Sequence, residues 1–113
     1  MSGETFTENA RFMNEYVARV RQIEARMRAT EEKFLPTARK RGKLLPRERL
    51  ALLLDRGAPF VELHALAGYQ MYSDADGSLA GGNLIAGIGF VSGRRCLVIV
   101  WNYAIKGGTV SRV

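Results

Sequence analysis

A chain of 113 residues has room for one domain with a modest core. Its 47% apolar and 25% charged residues are those of an ordinary globular protein, and no stretch approaches the ~20 apolar residues of a membrane span. The lone cysteine, Cys96, excludes a disulfide framework, and Cys96 with the lone histidine, His64, makes no metal set.

The net charge of +6 is unevenly placed: residues 1–50 carry 12 Lys/Arg against 7 Asp/Glu, and residues 51–113 carry 5 against 4. A basic half ahead of a near-neutral half fits an anionic partner or a solvated helix face. Residues 1–9 are polar and include Glu4 and Glu8, unlike a secretory or organellar leader. The cytoplasm is therefore the expected location.

The first predicted element is a long amphipathic helix, with Thr7 as its N-cap and Glu8 in the first turn. Phe12, Tyr16, Val20, Ile23, Met27 and Phe34 hold one stripe on a 3.6-residue period. So narrow a stripe, on so charged a helix, must lie against something. Leu35-Pro36 ends or kinks that helix, and residues 1–37 are read as a unit distinct from residues 38–113. A basic segment with Gly42 as its flexible point follows. Pro46 then opens a second helix through Asp55, with Leu50, Leu53 and Leu54 on one side and Gly57-Pro59 as its stop.

Beyond Pro59 the period becomes two. Residues 60–63 read as a short strand, and the turn-rich stretch 69–80 as an exposed loop. Residues 84–91 alternate, Ser92-Gly93-Arg94 makes a turn, and residues 95–101 return as the second strand of a hairpin. The returning strand is apolar on both faces and so belongs inside a sheet covered on both sides. Gly87 and Gly89 leave one face of its neighbour open to close approach by another layer. Such a sheet looks unfinished, and self-association through its exposed surface is expected. The fold class is mixed α/β, helices followed by a β-hairpin.

Two regions suit an anion. Lys106-Gly107-Gly108-Thr109 directly follows a buried strand, and in open α/β sheets ligands sit at the carboxyl ends of strands. The tetrapeptide lacks P-loop spacing, so a plain turn explains it as well. Arg39, Lys40, Arg41, Lys43, Arg47 and Arg49 place six cations within eleven residues. No aromatic is interleaved, which argues against a nucleic-acid reader. His64 falls on the same strand face as Glu62, but no nucleophile lies near, so a structural role is the simpler reading. Asp74 and Asp76 need no metal to explain them, and Cys96 reads as a small core residue.

The stretch "ARKRGKLLPRERLALLLDRGAPFVEL" resembles the opening of the carboxyltransferase subunit of biotin-dependent acyl-CoA carboxylases, the likeness running from Gly42 to Glu62. "GGNLIAGIGFVSGRRCLVIVWNYAIKGGT" resembles that family's first hairpin and the turn after it. "AGYQMY", Ala67 to Tyr72, followed by "GGN", is similar to the methylcrotonyl-CoA and geranyl-CoA carboxylase branch. The resemblance implies the incomplete start of a crotonase-like (ββα) domain. It further implies an acyl-CoA substrate, carboxybiotin carried by a partner subunit, and assembly with that subunit and with other carboxyltransferase subunits. It places Lys106, Gly107, Gly108 and Thr109, with Arg47 and Arg49 as weaker candidates, near CoA. The family's oxyanion-holding amides come from Ser-Gly-Gly-Ala and Ala-Gly-Gly segments further along, so no catalytic residue is assigned and the short chain is expected to be inactive alone. Ser111-Arg112-Val113 departs from the proline-containing continuation that the family shows after Lys-Gly-Gly-Thr. The competing readings are a small basic module that binds a protein or anionic partner, and a propionyl-CoA-type carboxyltransferase fragment. An intact small enzyme has no reactive constellation to support it.

Overall fold

The computed structural model describes residues 2–71 and 74–108. Among these, three helices precede three strands and a short 3-10 turn: α1 (Gly3–Glu32), α2 (Leu35–Lys40), α3 (Pro46–Leu53), β1 (Val61–Leu63), β2 (Leu84–Val91), β3 (Arg94–Trp101), and the turn Lys106–Gly108.

Helix α1 starts earlier than the sequence suggested. Ser2, not Thr7, is its N-cap, its Oγ accepting from the Thr5 amide at 3.3 Å. A serine at the very start supplies the same capping chemistry, and the Thr7 hydroxyl instead donates to the Gly3 carbonyl within the helix. Only the last third of α1 is docked. Met27 and Glu31 are buried and Ile23 is half-buried, whereas Phe12, Tyr16 and Val20 stand exposed. The predicted stripe is real, but its first half faces nothing among the described residues.

Pro36 begins a helix as well as ending one. It sits in the first turn of α2, where its missing N–H is no loss, so much of the basic segment is helical. Gly42, at φ 64°, then turns the chain toward α3. At the start of α3 the Glu48 carboxylate reaches back to the Leu45 N–H at 2.7 Å, replacing the side-chain cap that leucine cannot provide.

The strands form an antiparallel sheet in the order β1-β2-β3. Register runs Val61↔Ile88 and Leu63↔Ala86 on one side, and Leu84↔Trp101 through Val91↔Arg94 on the other. Ser92 (φ 50°) and Gly93 (φ 76°) make the two-residue turn, one residue shorter than the sequence suggested. Asp55 ties that turn to the end of α3: its carboxylate accepts from the Ser92 and Gly93 amides at 2.8 and 2.7 Å.

One sheet face carries the core. Leu50, Ile85 and Val98 are buried together, with Leu54, Phe60, Val91, Cys96 and Val100 around them. The two strand glycines admit this layer as expected. A Cβ on Gly87 would lie 2.3 Å from the Phe60 ring, and one on Gly89 would lie 2.6 Å from Leu54. The opposite face is bare: Val61, Ile88, Leu97, Ile99 and Trp101 are all exposed. The sheet is thus unfinished, as the sequence suggested: β3 is apolar on both faces, α3 covers one of them, and no described element covers the other. The stretch 69–80 is also less exposed than expected. Asp74 is buried, its carboxylate accepting from the Gln70 and Leu79 amides, which pins the loop from within.

Candidate functional site

Beyond Trp101 the chain turns sharply, because Lys106, Gly107 and Gly108 all take positive φ (45°, 66° and 80°). Two glycines make that path accessible, and Lys106 is the residue under strain. The turn brings Tyr103 and Gly107 against the α2–α3 junction. Phe34, Ala38, Arg41, Lys43, Tyr103 and Gly107 line a cleft of about 120 Å³ there. A wider, shallower hollow of about 390 Å³ adjoins it, lined by Lys43, Leu44, Arg49 and Tyr103.

Tyr103 is the shared wall. Its hydroxyl donates to the Leu44 carbonyl, its ring meets Phe34 edge-on at 5.8 Å, and the Lys43 ammonium lies 5.9 Å from its centroid. Thus an aromatic face sits among Arg41, Lys43 and Arg49, beside a glycine turn. Cations and a ring at one spot suit an aromatic group that carries phosphates. Sequence reasoning missed Tyr103, which lies just ahead of the loop it noticed. The signal available was an aromatic immediately after a strand end.

The sequence-nominated residues separate under the structure. Gly107 lines the cleft and Arg49 the adjoining hollow, while Lys106 is exposed on the same turn and Gly108 lies against Tyr103. Thr109 lies outside the described residues. Arg47 is engaged elsewhere: its Nε donates to Glu31 at 2.8 Å, and its two terminal nitrogens donate to Glu62 at 2.8 and 2.9 Å. Burial alone would lower its pKa, but the hydrogen bond to Glu62 and the charges of both carboxylates raise it above the ordinary guanidinium value. Arg47 is therefore the clamp that makes the burial of Glu31 tolerable. Asn102 completes the arrangement, its amide donating to the other Glu31 oxygen at 2.6 Å.

Arg39 is likewise committed. Its guanidinium pairs with Glu48, and that hydrogen bond holds the Glu48 carboxyl below its usual range and raises Arg39. The basic run thus divides into Arg39 and Arg47, which are paired within the chain, Arg41, Lys43 and Arg49, which line the two hollows, and Lys40, which stands exposed on α2. Glu62 pairs with Arg47 rather than with His64. No three His, Cys, Asp or Glu side chains among the described residues are grouped to hold a metal. The chain does contain one Ala-Gly-Gly tripeptide, Ala80 to Gly82. Its Gly81 and Gly82 amides already donate to the Ala67 and Leu79 carbonyls, and Gly81 is wedged against Met27 and Ala65. Those amides are not offered to a ligand.

Comparison with known proteins gives a consistent picture. The sequence model of the carboxyl transferase domain matches residues 37–113. A probable methylcrotonoyl-CoA carboxylase beta chain, mitochondrial, of Drosophila melanogaster is 39% identical over 105 residues, 92% of this chain and 18% of that protein. A biotin-dependent 3-methylcrotonyl-coenzyme A carboxylase beta1 subunit of Mycobacterium tuberculosis is 52% identical over 69 residues, 61% of this chain and 12% of that protein. Among solved structures, the geranyl-CoA carboxylase beta subunit of P. aeruginosa superposes with a TM-score of 0.86 at 50% identity, covering 98% of this chain and 20% of that one. The chain therefore spans about a fifth or less of the length of these relatives, and its helices and sheet correspond to part of a crotonase-like fold. No helix among the described residues is long and apolar enough to cross a membrane.

Proposed function

Since the chain belongs to the carboxyl transferase domain family, on the side of the methylcrotonyl-CoA and geranyl-CoA carboxylase beta subunits, we propose that it supplies the CoA-contacting edge of such a carboxyltransferase. In this reading the phosphorylated end of an acyl-CoA lies along the cleft. Arg41, Lys43 and Arg49 face its phosphates, with Lys106 and the Gly107-Gly108 turn beside them, and the Tyr103 ring meets the adenine. The carboxyl group would come from carboxybiotin on a partner subunit, the acceptor would be a branched unsaturated acyl-CoA, and assembly would involve that subunit and other carboxyltransferase subunits. The cytoplasmic expectation belongs to the same reading. Residues 1–37 are a helical extension ahead of the domain.

One observation carries the proposal: the strand-end turn and the basic α2–α3 junction, nominated independently, converge on Tyr103. Titration of the chain with CoA by calorimetry tests it. Binding is expected to weaken as salt rises and to fall several-fold in Lys43→Ala and in Arg49→Ala. Arg11→Ala, on the distal part of α1, should leave it unchanged. Absence of CoA binding at low salt, or equal loss in Arg11→Ala, would overturn the assignment.

A further inference from the structure

We propose that Glu31 is a positioning residue for the cleft: its two carboxylate oxygens, held by Arg47 and Asn102, set the Tyr103 ring among the cations around it. The ligand side of this inference rests on the CoA reading; the placement of Tyr103 does not.

Glu31 is 4% exposed, and its two oxygens are bound by donors from different parts of the chain. Oε2 accepts from Arg47 Nε, in the first turn of α3, at 2.8 Å. Oε1 accepts from Asn102 Nδ2 at 2.6 Å, from a residue 71 positions away in sequence. A buried ion pair is weak support for stability, and an apolar side chain of similar volume would fill the same space. An apolar side chain would not join the two donors.

The three segments that meet at Glu31 also supply the walls of the cleft. Phe34 belongs to the same turn of chain, its amide donating to the Glu31 carbonyl at 3.0 Å. Arg47 stands between Leu44, whose carbonyl accepts from the Tyr103 hydroxyl, and Arg49, which lines the adjoining hollow. Asn102 immediately precedes Tyr103. It is 2% exposed, its amide N–H donates to the Asn83 carbonyl at 2.5 Å, and its carbonyl accepts from the Ile105 amide at 3.1 Å. Asn102 is thus the anchor of the strand end, ahead of a turn in which Lys106, Gly107 and Gly108 all take positive φ. Glycines widen the choice of path there, so the direction in which Tyr103 leaves the sheet depends on what holds Asn102.

Two variants separate position from stability. Asn102→Ala removes the link and leaves Arg47 on both of its carboxylates. Glu31→Gln removes the charge and preserves the link. Its Oε1 still accepts from Arg47, and the Asn102 amide, whose Oδ1 has no partner among the described residues, reverses to accept from the new N–H. The first readout needs no ligand: nuclear Overhauser contacts between the Phe34 and Tyr103 rings should persist in Glu31→Gln and vanish in Asn102→Ala. The second is CoA titration well below each unfolding midpoint. Affinity should fall about fivefold or more in Asn102→Ala and stay within about twofold in Glu31→Gln, whichever variant is less stable. A merely structural Glu31 would leave both readouts unchanged in folded molecules of either variant. Ring contacts kept in Asn102→Ala, or lost in Glu31→Gln, overturn the proposal. If the unsubstituted chain takes up no CoA, the CoA reading falls and the ring contacts alone judge the placement. If Asn102→Ala does not fold, hydrogen exchange on the unsubstituted chain decides. The Ile105 and Phe34 amides should then be protected to within about tenfold of each other, and Ile105 exchanging faster than that overturns the link.

Discussion

Arg47 shows how little a residue's type says about its use. As one cation in a basic run it was a candidate for an anionic ligand, yet two carboxylates of the same chain hold it, one of them almost wholly buried. Removing it strands Glu31, so Arg47→Ala should lower unfolding stability by about 2–4 kcal/mol, measured by chemical denaturation. Arg41→Ala, on the cleft, should cost less than about 0.5 kcal/mol. Glu48 has a pH signature. Its folded pKa lies below the unfolded value because of Arg39, so its stabilisation is complete above about pH 4.3 and is lost as pH falls through the folded value. Glu48→Gln should therefore flatten the acid limb of the thermal midpoint against pH and leave its neutral limb parallel to that of the unsubstituted chain.

Among the elements, local chemistry was legible wherever it is punctuated. Pro46 announced a helix start and the glycines of β2 a close approach, and the structure bears both out. What escaped reading were alternative caps and helix starts close in sequence, and contacts made across the fold. Ser2 took the capping role from Thr7, Pro36 started a helix inside a basic segment, and Asp55 reached across to hold a turn 37 residues away. Tyr103 was missed for the same reason, since only the folded turn brings it beside Lys43 and Arg49. The close approach at Gly87 yields a sharp prediction. Gly87→Ala would drive a methyl into the Phe60 ring and the Val61 carbonyl, costing about 1–3 kcal/mol by thermal or denaturant unfolding. Gly93→Ala, with open space but a φ of 76°, should cost about 1 kcal/mol from backbone strain alone.

For the whole molecule, the bare sheet face and the undocked half of α1 leave much apolar surface in water. The chain should bind a hydrophobic dye at neutral pH, and Ile99→Lys should reduce the signal. A cooperative monomer with no dye binding would contradict the picture of an unpartnered sheet. Alone with a biotinylated partner subunit, the chain should give no detectable carboxylation of methylcrotonyl-CoA. Losing a single oxyanion donor already costs ~10²–10³ in rate, and here the Gly81 and Gly82 amides are spent within the fold.

The free length of α1 has a hydrodynamic consequence. The chain's radius of gyration is 17.0 Å, against about 13 Å for a rounded domain of this length, with dimensions of 58 × 39 × 25 Å. A rod attached to a small body drags more solvent than its mass warrants, so a single copy will leave a sizing column early, where a heavier globule would. Copy number is thus better weighed than timed: light scattering or sedimentation equilibrium will distinguish one elongated particle from two.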